Sequence, residues 1–313
     1  MENKGNSIFN EIYNELYNKY FEKFEKMRLK EKKKMKFIIS GALLIFFSFC
    51  TLSIEEGNKY ILILLTSIMG IIGSVLFYIG KKQKSNYEEE YKNQVIKEFL
   101  SKILPNFKYA PYEDLNNIDN MVNQYTKAQF DIRKFNRSES DDYIYGNYKD
   151  MEMSICNLHT FYEYFDKYKK EKRFEERFLG IFTNIKIQNK KDIEIKILNK
   201  EKNVEENRNI IKMDNDQFNE NFIVIANSEM HAYEILTLDV IQILNDLEKE
   251  NIKFDISIIN NNINFRFYNS SFFEPSINEP VMKKENFYKY YILLKFILKF
   301  SKTINKIYGD LNF

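Results

Sequence analysis

The chain has 313 residues, a length that suggests about two domains, and its 47 Lys and Arg nearly balance 45 Asp and Glu. Hydrophobic residues make up 44% of the sequence and charged residues 29%, which excludes a wholly disordered chain. Two Cys are too few for a disulfide framework, and two His are too few for a His-rich metal site.

Two uncharged apolar stretches lie near the N-terminus, at residues 37–54 and 60–80. As helices they would extend about 27 and 32 Å, close to the roughly 30 Å hydrocarbon core of a membrane. Only residues 55–59 separate them, so the sequence predicts a transmembrane helical hairpin. The alternative is a buried helical hairpin in a soluble core. A cleaved signal peptide is not expected, because 36 residues precede the first stretch.

Small residues in the second stretch indicate where the two helices touch. Gly70 and Ser74 have the small-xxx-small spacing that lets helix backbones approach closely, and Gly73 lies beside them. The first stretch, with Gly41 and Ala42, is the nearest partner.

The charges flanking these stretches predict their orientation. Residues 1–36 hold ten Lys and Arg against six Glu, three lysines directly follow the second stretch, and residues 55–59 carry a net charge of −1. By the positive-inside rule, both termini are cytoplasmic. The first 84 residues carry +6 in total, so residues 85–313 carry −4 and are a poor candidate for binding DNA or RNA.

Helical periodicity continues on both sides of the hairpin. Apolar residues recur every three or four positions in residues 7–34, and again in residues 85–104 until Pro105. Both segments leave the membrane on the same side, so we expect a short antiparallel stalk; a helix on the membrane surface is the alternative for residues 7–34. The predicted organisation is a cytoplasmic amphipathic helix at 1–36, a transmembrane hairpin at 37–80, a juxtamembrane helix at 81–105 and a cytoplasmic α+β domain at 106–313.

The cytoplasmic domain begins with mixed signals. Residues 106–137 suggest a linker and a helix, residues 138–142 a polar turn, and residues 143–158 a strand pair around Gly146–Lys149. Residues 160–177 are charged and rich in Phe and Tyr, and we interpret them as a helix or helix-like connector.

From residue 178 the pattern is mainly β, with strands predicted at 178–187, 192–198, 209–214 and 223–226 and a solvated turn at 202–208. Helical spacing returns at 229–250. Two strands joined at Asn260–Asn262 then form a hairpin, and a packed helix near 285–308 follows. This order predicts an α+β fold with a mostly antiparallel sheet.

Several short motifs occur in a characteristic order: Asp142-Tyr143-Ile144-Tyr145-Gly146, Phe178-Leu179-Gly180-Ile181-Phe182, Phe218 and Phe222 in FNENFIVIANS, Ile235-Leu236-Thr237, and Phe273-Glu274-Pro275. Over roughly residues 90–310 this order resembles the bacterial DUF3137 family, a membrane-anchored domain of unknown function. The resemblance implies membrane attachment and a common fold, and it implies no activity and no catalytic residues. A bacterial source also agrees with the heavy use of Lys, Asn, Ile, Phe and Tyr, whose codons are rich in A and T.

The motif residues have structural explanations of their own. Gly180 suits a strand that another backbone approaches closely, and Thr237 is placed to cap a helix. Phe273 is expected to anchor the last loop, which Pro275 ends.

The residues with catalytic or metal-binding chemistry are few. Cys156 and His159 form a C-x-x-H pair, but zinc would need two further ligands, and Cys50 and His231 lie elsewhere. On a strand, positions three apart face opposite sides, so we do not expect a nucleophile pair. Four acids gather near the predicted turn and would suit a divalent cation, although a solvated turn explains them as well: Asp141, Asp142, Asp150 and Glu152.

These observations favour a non-enzymatic membrane protein whose cytoplasmic domain binds a protein partner or reports membrane state. No cofactor and no metal are predicted, and catalytic residues are unknown. One alternative is a membrane-tethered enzyme with a site around Asp141, Asp142, Cys156 and His159. Another is a scaffold that acts through the hairpin and stalk.

Overall fold

The computed structural model describes residues 2–52, 59–82, 86–112, 115–130, 134–187, 192–201, 210–268 and 273–310. The chain forms two compact units. The helical unit contains Met1–Glu98 and Glu274–Phe287, and the sheet unit contains Phe99–Phe273 and Tyr288–Phe313. Helices and an antiparallel sheet occur together, which confirms the predicted α+β class.

The helical unit is built from long helices. Its first helix, α1 (Glu2–Leu52), runs without a break through the predicted start of the first apolar stretch. α2 (Lys59–Lys82) contains the second stretch. α3 (Tyr87–Tyr91) continues through one π turn, Lys92–Ile96, into α4 (Lys97–Ile103), of which residues 99–103 belong to the sheet unit.

Among the described residues, one helix is long and apolar enough to cross a membrane, and its apolar part lies in α2. The last two residues of the first predicted span, residues 37–54, lie outside the described part of the chain. Two spans therefore remain a prediction.

The second half of α1 and α2 lie antiparallel, with glycines where the backbones meet. A Cβ added at Gly41 would lie 2.6 Å from the carbonyl oxygen of Gly73, too close for any larger residue. Gly70 faces Ser48 with more room, because its added Cβ would lie 3.6 Å from the Ser48 Oγ. Ser74 is exposed and donates to the Gly70 carbonyl. The closest approach thus involves Gly41 and Gly73, and not the predicted Gly70–Ser74 spacing.

The first half of α1 pairs antiparallel with the segment 87–98, as expected for a stalk. Lys19 lies 2.6 Å from Glu98, and the Phe24 ring meets the Tyr91 ring edge-on at 5.7 Å. Residues 274–283, which we call the strap, lie against the same helices. The Arg28 guanidinium donates to the Ile277 carbonyl at 2.7 Å and pairs with Glu25.

The sheet unit contains nine described strands in the order β1-β2-β3-β4-β9-β8-β5-β7-β6, and every neighbouring pair is antiparallel. The strands are β1 (Phe107–Ala110), β2 (Arg137–Tyr148), β3 (Met151–Asp166), β4 (Glu171–Lys186), β5 (Glu194–Asn199), β6 (Ile210–Ile211), β7 (Phe222–Ala226), β8 (Phe254–Ile259) and β9 (Asn262–Tyr268).

Helices cover both faces of this sheet. The helices of the unit are α5 (Leu115–Lys127), α6 (Asp216–Asn221), α7 (Glu229–Ile235), α8 (Leu238–Glu248) and the larger part of α9 (Lys284–Asp310). On one face, Tyr125 of α5 stacks on Phe178 at 5.4 Å. On the other face, Phe300 of α9 meets Phe265 at 5.3 Å. The sheet is therefore the middle layer, and residues on both of its faces are buried.

Most predicted strands are present. The strand pair near Gly146–Lys149 turns at Lys149–Asp150, the hairpin at Asn260–Asn261 joins β8 to β9, and the final helix is α9. The predicted turn at 202–208 lies outside the described residues. An added Cβ at Gly180 would overlap the carbonyl oxygen of Phe267, which confirms the close backbone approach expected there.

Three predictions were wrong. Residues 138–142 belong to β2 rather than to a turn; among the described residues this half of the strand pairs only with β3, so the side chains of residues 138–141 reach solvent while Asp142 is buried. Residues 160–177 form the ends of β3 and β4 rather than a helix. The helix at 229–250 is two helices, α7 and α8, and Thr237 occupies the N-cap position of the second without a side-chain cap bond.

Candidate functional site

An open cleft of about 680 Å³ lies along β1, β2 and the start of β3. Lys108, Tyr143, Tyr145 and Ser154 are among the residues that line it. The two tyrosine rings stack at 5.1 Å, and the hydroxyls of Tyr143 and Ser154 lie 3.2 Å apart. The cleft thus offers aromatic surface, hydroxyls and an ammonium group, which suits binding of a polar partner.

The motif Asp142–Gly146 shapes this cleft. An added Cβ at Gly146 would lie 2.7 Å from the carbonyl oxygen of Asn106, so the close passage of β1 requires glycine there. Asp142 sits in a β-bulge with a φ of 53°, a backbone conformation that Asp tolerates better than most residues.

The bulge turns Asp142 inward, where it is fully buried. Its carboxylate accepts hydrogen bonds from the Tyr109 hydroxyl and, at 2.9 Å, from the Asn157 amide. These bonds tie β1, β2 and β3 together, so the geometry gives Asp142 a structural role at the base of the bulge.

Cys156 and His159 do not meet. Cys156 is fully buried in the cluster beneath α5, with Leu158 and Phe182. Burial raises the pKa of its thiol to about 12. His159 points to the opposite face, where its Nε2 lies 3.3 Å from a carboxylate oxygen of Glu176. A thiol kept protonated and separated from the imidazole is a poor nucleophile.

The four acids do not share one turn. Asp141 and Asp142 lie in β2 opposite Asn157, whereas Asp150 and Glu152 lie at the other end of the β2–β3 pair. Five residues of strand separate Glu152 from Asn157, which corresponds to about 17 Å. His231 also lies apart from them, in the first turn of α7, where its backbone amide donates to the Ser228 hydroxyl.

A buried ion pair beneath α5 went unnoticed in the sequence. Arg266 and Asp255 are both fully buried, and the guanidinium Nε donates to the carboxylate at 2.7 Å. The carboxylate also accepts from the Asn199 backbone amide and the Tyr268 hydroxyl. The guanidinium lies 4.7 Å from the centre of the Phe130 ring. The only sign of this pair in the sequence is that β8 and β9 each carry one charged residue among apolar residues that alternate along the strand.

Comparisons with known proteins agree with the family resemblance. A mycobacterial crystal structure, the trehalose monomycolate transport factor A, TtfA, is similar at 8% identity with a TM-score of 0.33, covering 61% of this chain and 86% of that one. So low a score carries no argument about function. No curated protein matches the chain. Residues 176–306 match the family described as "Protein of unknown function (DUF3137)", which confirms the predicted resemblance over that part of the predicted range 90–310.

Proposed function

We propose that this protein is anchored in the membrane by two spans, with both termini in the cytoplasm, and that its DUF3137 domain binds a protein partner there. The observation that carries this proposal is the distribution of side chains on α1 and α2, which is the reverse of that in a helix pair exposed to water. Glycines occupy their contact, while large apolar side chains point outward: Phe46 is 61% exposed and Leu64 is 62% exposed. Exposed apolar surface of this extent suits lipid rather than water.

Basic residues at one end of this helix pair support the orientation. The Lys81 ammonium lies 4.9 Å from the Phe77 ring, and the Lys33 ammonium lies 5.8 Å from the Phe37 ring. Paired lysines and aromatic rings are typical of a membrane interface, and cationic ends are retained on the cytoplasmic side.

Cysteine labelling tests the topology. In a Cys50→Ser/Cys156→Ser background, Gly57→Cys is expected to react with a membrane-impermeant maleimide that is added to spheroplasts with an intact cytoplasmic membrane. The matched control, Lys302→Cys, is expected to react only after the membrane is opened. Equal labelling of both before opening contradicts the proposal.

Two observations support the binding role. The domain has an open cleft, and the candidate catalytic residues do not come together in one site. The four residues of the enzyme alternative include one buried thiol and one carboxylate bound by Tyr109 and Asn157. Such groups have little capacity left for chemistry.

A photo-crosslinking amino acid at Tyr145, in native membranes, tests the partner. One stoichiometric adduct with another protein is expected from Tyr145 and not from the control position Tyr233, which lies in α7. Adducts from both positions, or from neither, argue against the cleft as the binding site. Turnover of a defined substrate by the purified full chain would favour the enzyme instead.

A further inference from the structure

The β3–β4 hairpin extends beyond the rest of the sheet. β2 accompanies β3 only as far as the pair Arg137–Phe161, and β9 begins to accompany β4 only at Gly180. Between these limits, residues 162–175 form a two-stranded ribbon without a further strand on either side in the described structure. Five residue pairs and a turn project about 20 Å at roughly 3.4 Å per residue.

This ribbon exposes aromatic side chains on both of its faces. Tyr162 and Tyr164 stack at 6.3 Å on one face, while Phe165 and Phe174 are exposed on the other. Tyr168, in the turn, is 100% exposed. A two-stranded ribbon is marginally stable in water, so surface of this kind indicates a partner that covers it.

The turn of the ribbon is also strongly basic. Residues 167–173 contain five Lys and Arg against one Glu, whereas residues 85–313 as a whole carry −4. Lys172 pairs with Glu163 and Arg173 with Glu171. Three lysines make no ion pair within the described residues, and all three are exposed: Lys167, Lys169 and Lys170.

We propose that this turn inserts into the anionic headgroup layer of the membrane in which the chain is anchored. The negative cytoplasmic leaflet complements the three unpaired lysines. A protein groove would cover one face of the ribbon, but a headgroup layer surrounds both faces at once. Tyr and Phe prefer this layer, where lysines keep their ammonium groups in water. The choice of leaflet rests on the proposed cytoplasmic location of the domain.

The chain has no Trp, so Tyr168→Trp supplies a single fluorescent reporter at the turn. The full chain is placed in lipid nanodiscs made of phosphatidylcholine, with or without phosphatidylglycerol. In the anionic discs we expect blue-shifted emission, quenching by brominated acyl chains and reversal by high salt. Each Lys→Gln change is expected to weaken insertion about fivefold, so the triple variant at Lys167, Lys169 and Lys170 should lower it about 100-fold.

A matched control is Tyr233→Trp, because Tyr233 is partly exposed but lies in α7. Its emission should be the same in both kinds of disc. Identical, unquenched emission of the Tyr168→Trp variant in both kinds of disc overturns the proposal. Co-elution of the protein with the discs shows in the same experiment that the chain is anchored in them. If the protein does not enter discs, anchoring fails, and added anionic vesicles then test the turn alone. A photo-crosslink from 168 to a protein, without lipid quenching, also overturns it.

Discussion

The two helices α1 and α2 and the antiparallel sheet bury opposite kinds of residue. Between α1 and α2 the contact is made by Gly41 and Gly73, and large apolar side chains face outward. In the sheet unit, rings such as Phe178 and Phe265 fill the interior between the sheet and its helices. The first arrangement suits a lipid solvent and the second suits water, because only water drives large apolar groups inward.

The contrast also shows how composition can mislead. Both regions are rich in Ile, Leu and Phe, so hydrophobic content alone does not separate them. The position of the small residues does, because a contact through glycine leaves the large residues free to meet the surroundings. Substitutions that enlarge a contact or remove a buried charge should therefore have different consequences in the two regions.

The largest expected effect is in the sheet unit, at the buried ion pair. Asp255→Asn leaves the Arg266 guanidinium without its counter-charge and should destabilise the unit by about 3–5 kcal/mol. Unfolding of the full chain by guanidinium chloride in detergent measures the change in stability, and hydrogen exchange of peptides from β8 and β9 locates it. The double variant Asp255→Leu/Arg266→Met should be less destabilised than Asp255→Asn, because no charge is left unpaired. A double variant that is worse than the single one would mean that the pair itself is the source of stability.

The next effect concerns Gly180. Gly180→Ala forces the β9 backbone at Phe267 away and should cost roughly 1–3 kcal/mol. Peptide-resolved exchange should show faster opening of β4 and β9 than of β7. Unchanged protection in β4 would show that the two strands separate without penalty, contrary to the close contact.

A smaller effect is expected between the helices. Gly41→Ala places a methyl group 2.6 Å from backbone atoms of α2 and should lower the melting temperature in detergent, for a cost of about 1–2 kcal/mol. Gly70→Ala is the matched control, because its methyl group has ordinary van der Waals space beside Ser48. Equal melting temperatures for the two variants would remove Gly41 from the helix contact.

The smallest effect is chemical. Since burial raises the pKa of Cys156 to about 12, above roughly 8.5 for a free thiol, the thiol stays protonated when the chain is folded. Its contribution to stability is fully present below pH 8.5 and is lost as the pH rises toward 12. In a Cys50→Ser background, iodoacetamide at pH 8.5 should leave the native protein unmodified and should alkylate it after denaturation. Rapid alkylation of the native chain would place Cys156 at the surface.

The sequence allowed the strands after residue 178 to be predicted because apolar and polar residues alternate there. Residues 160–177 misled for a definite reason. Phe161, Tyr164, Phe165 and Tyr168 recur at helical spacing, but Glu163 is bound across the ribbon by Lys172, a contact that spacing along one strand does not reveal.

The buried charges were unpredictable in the same way. In an alternating strand, Asp255 and Arg266 occupy the positions that usually face solvent. The structure covers that face with α5, so both charges are enclosed and paired. The bulge at Asp142 was missed likewise, because the polar residues around it in the sequence resemble a turn although the bulge lies inside a strand. Both errors come from contacts between segments far apart in the chain.

The strap has a consequence for the timing of synthesis. Arg28 belongs to α1, yet the carbonyl it binds, at Ile277, follows 249 residues later in the chain. At about 5–20 residues per second, roughly 12 to 50 s of translation separate the two. The helices α1 and α2 must therefore form, and must persist, before the strap exists to join α1 and the segment 87–98. A nascent chain arrested before residue 274 would carry an incomplete helical unit that is open to chaperones and proteases.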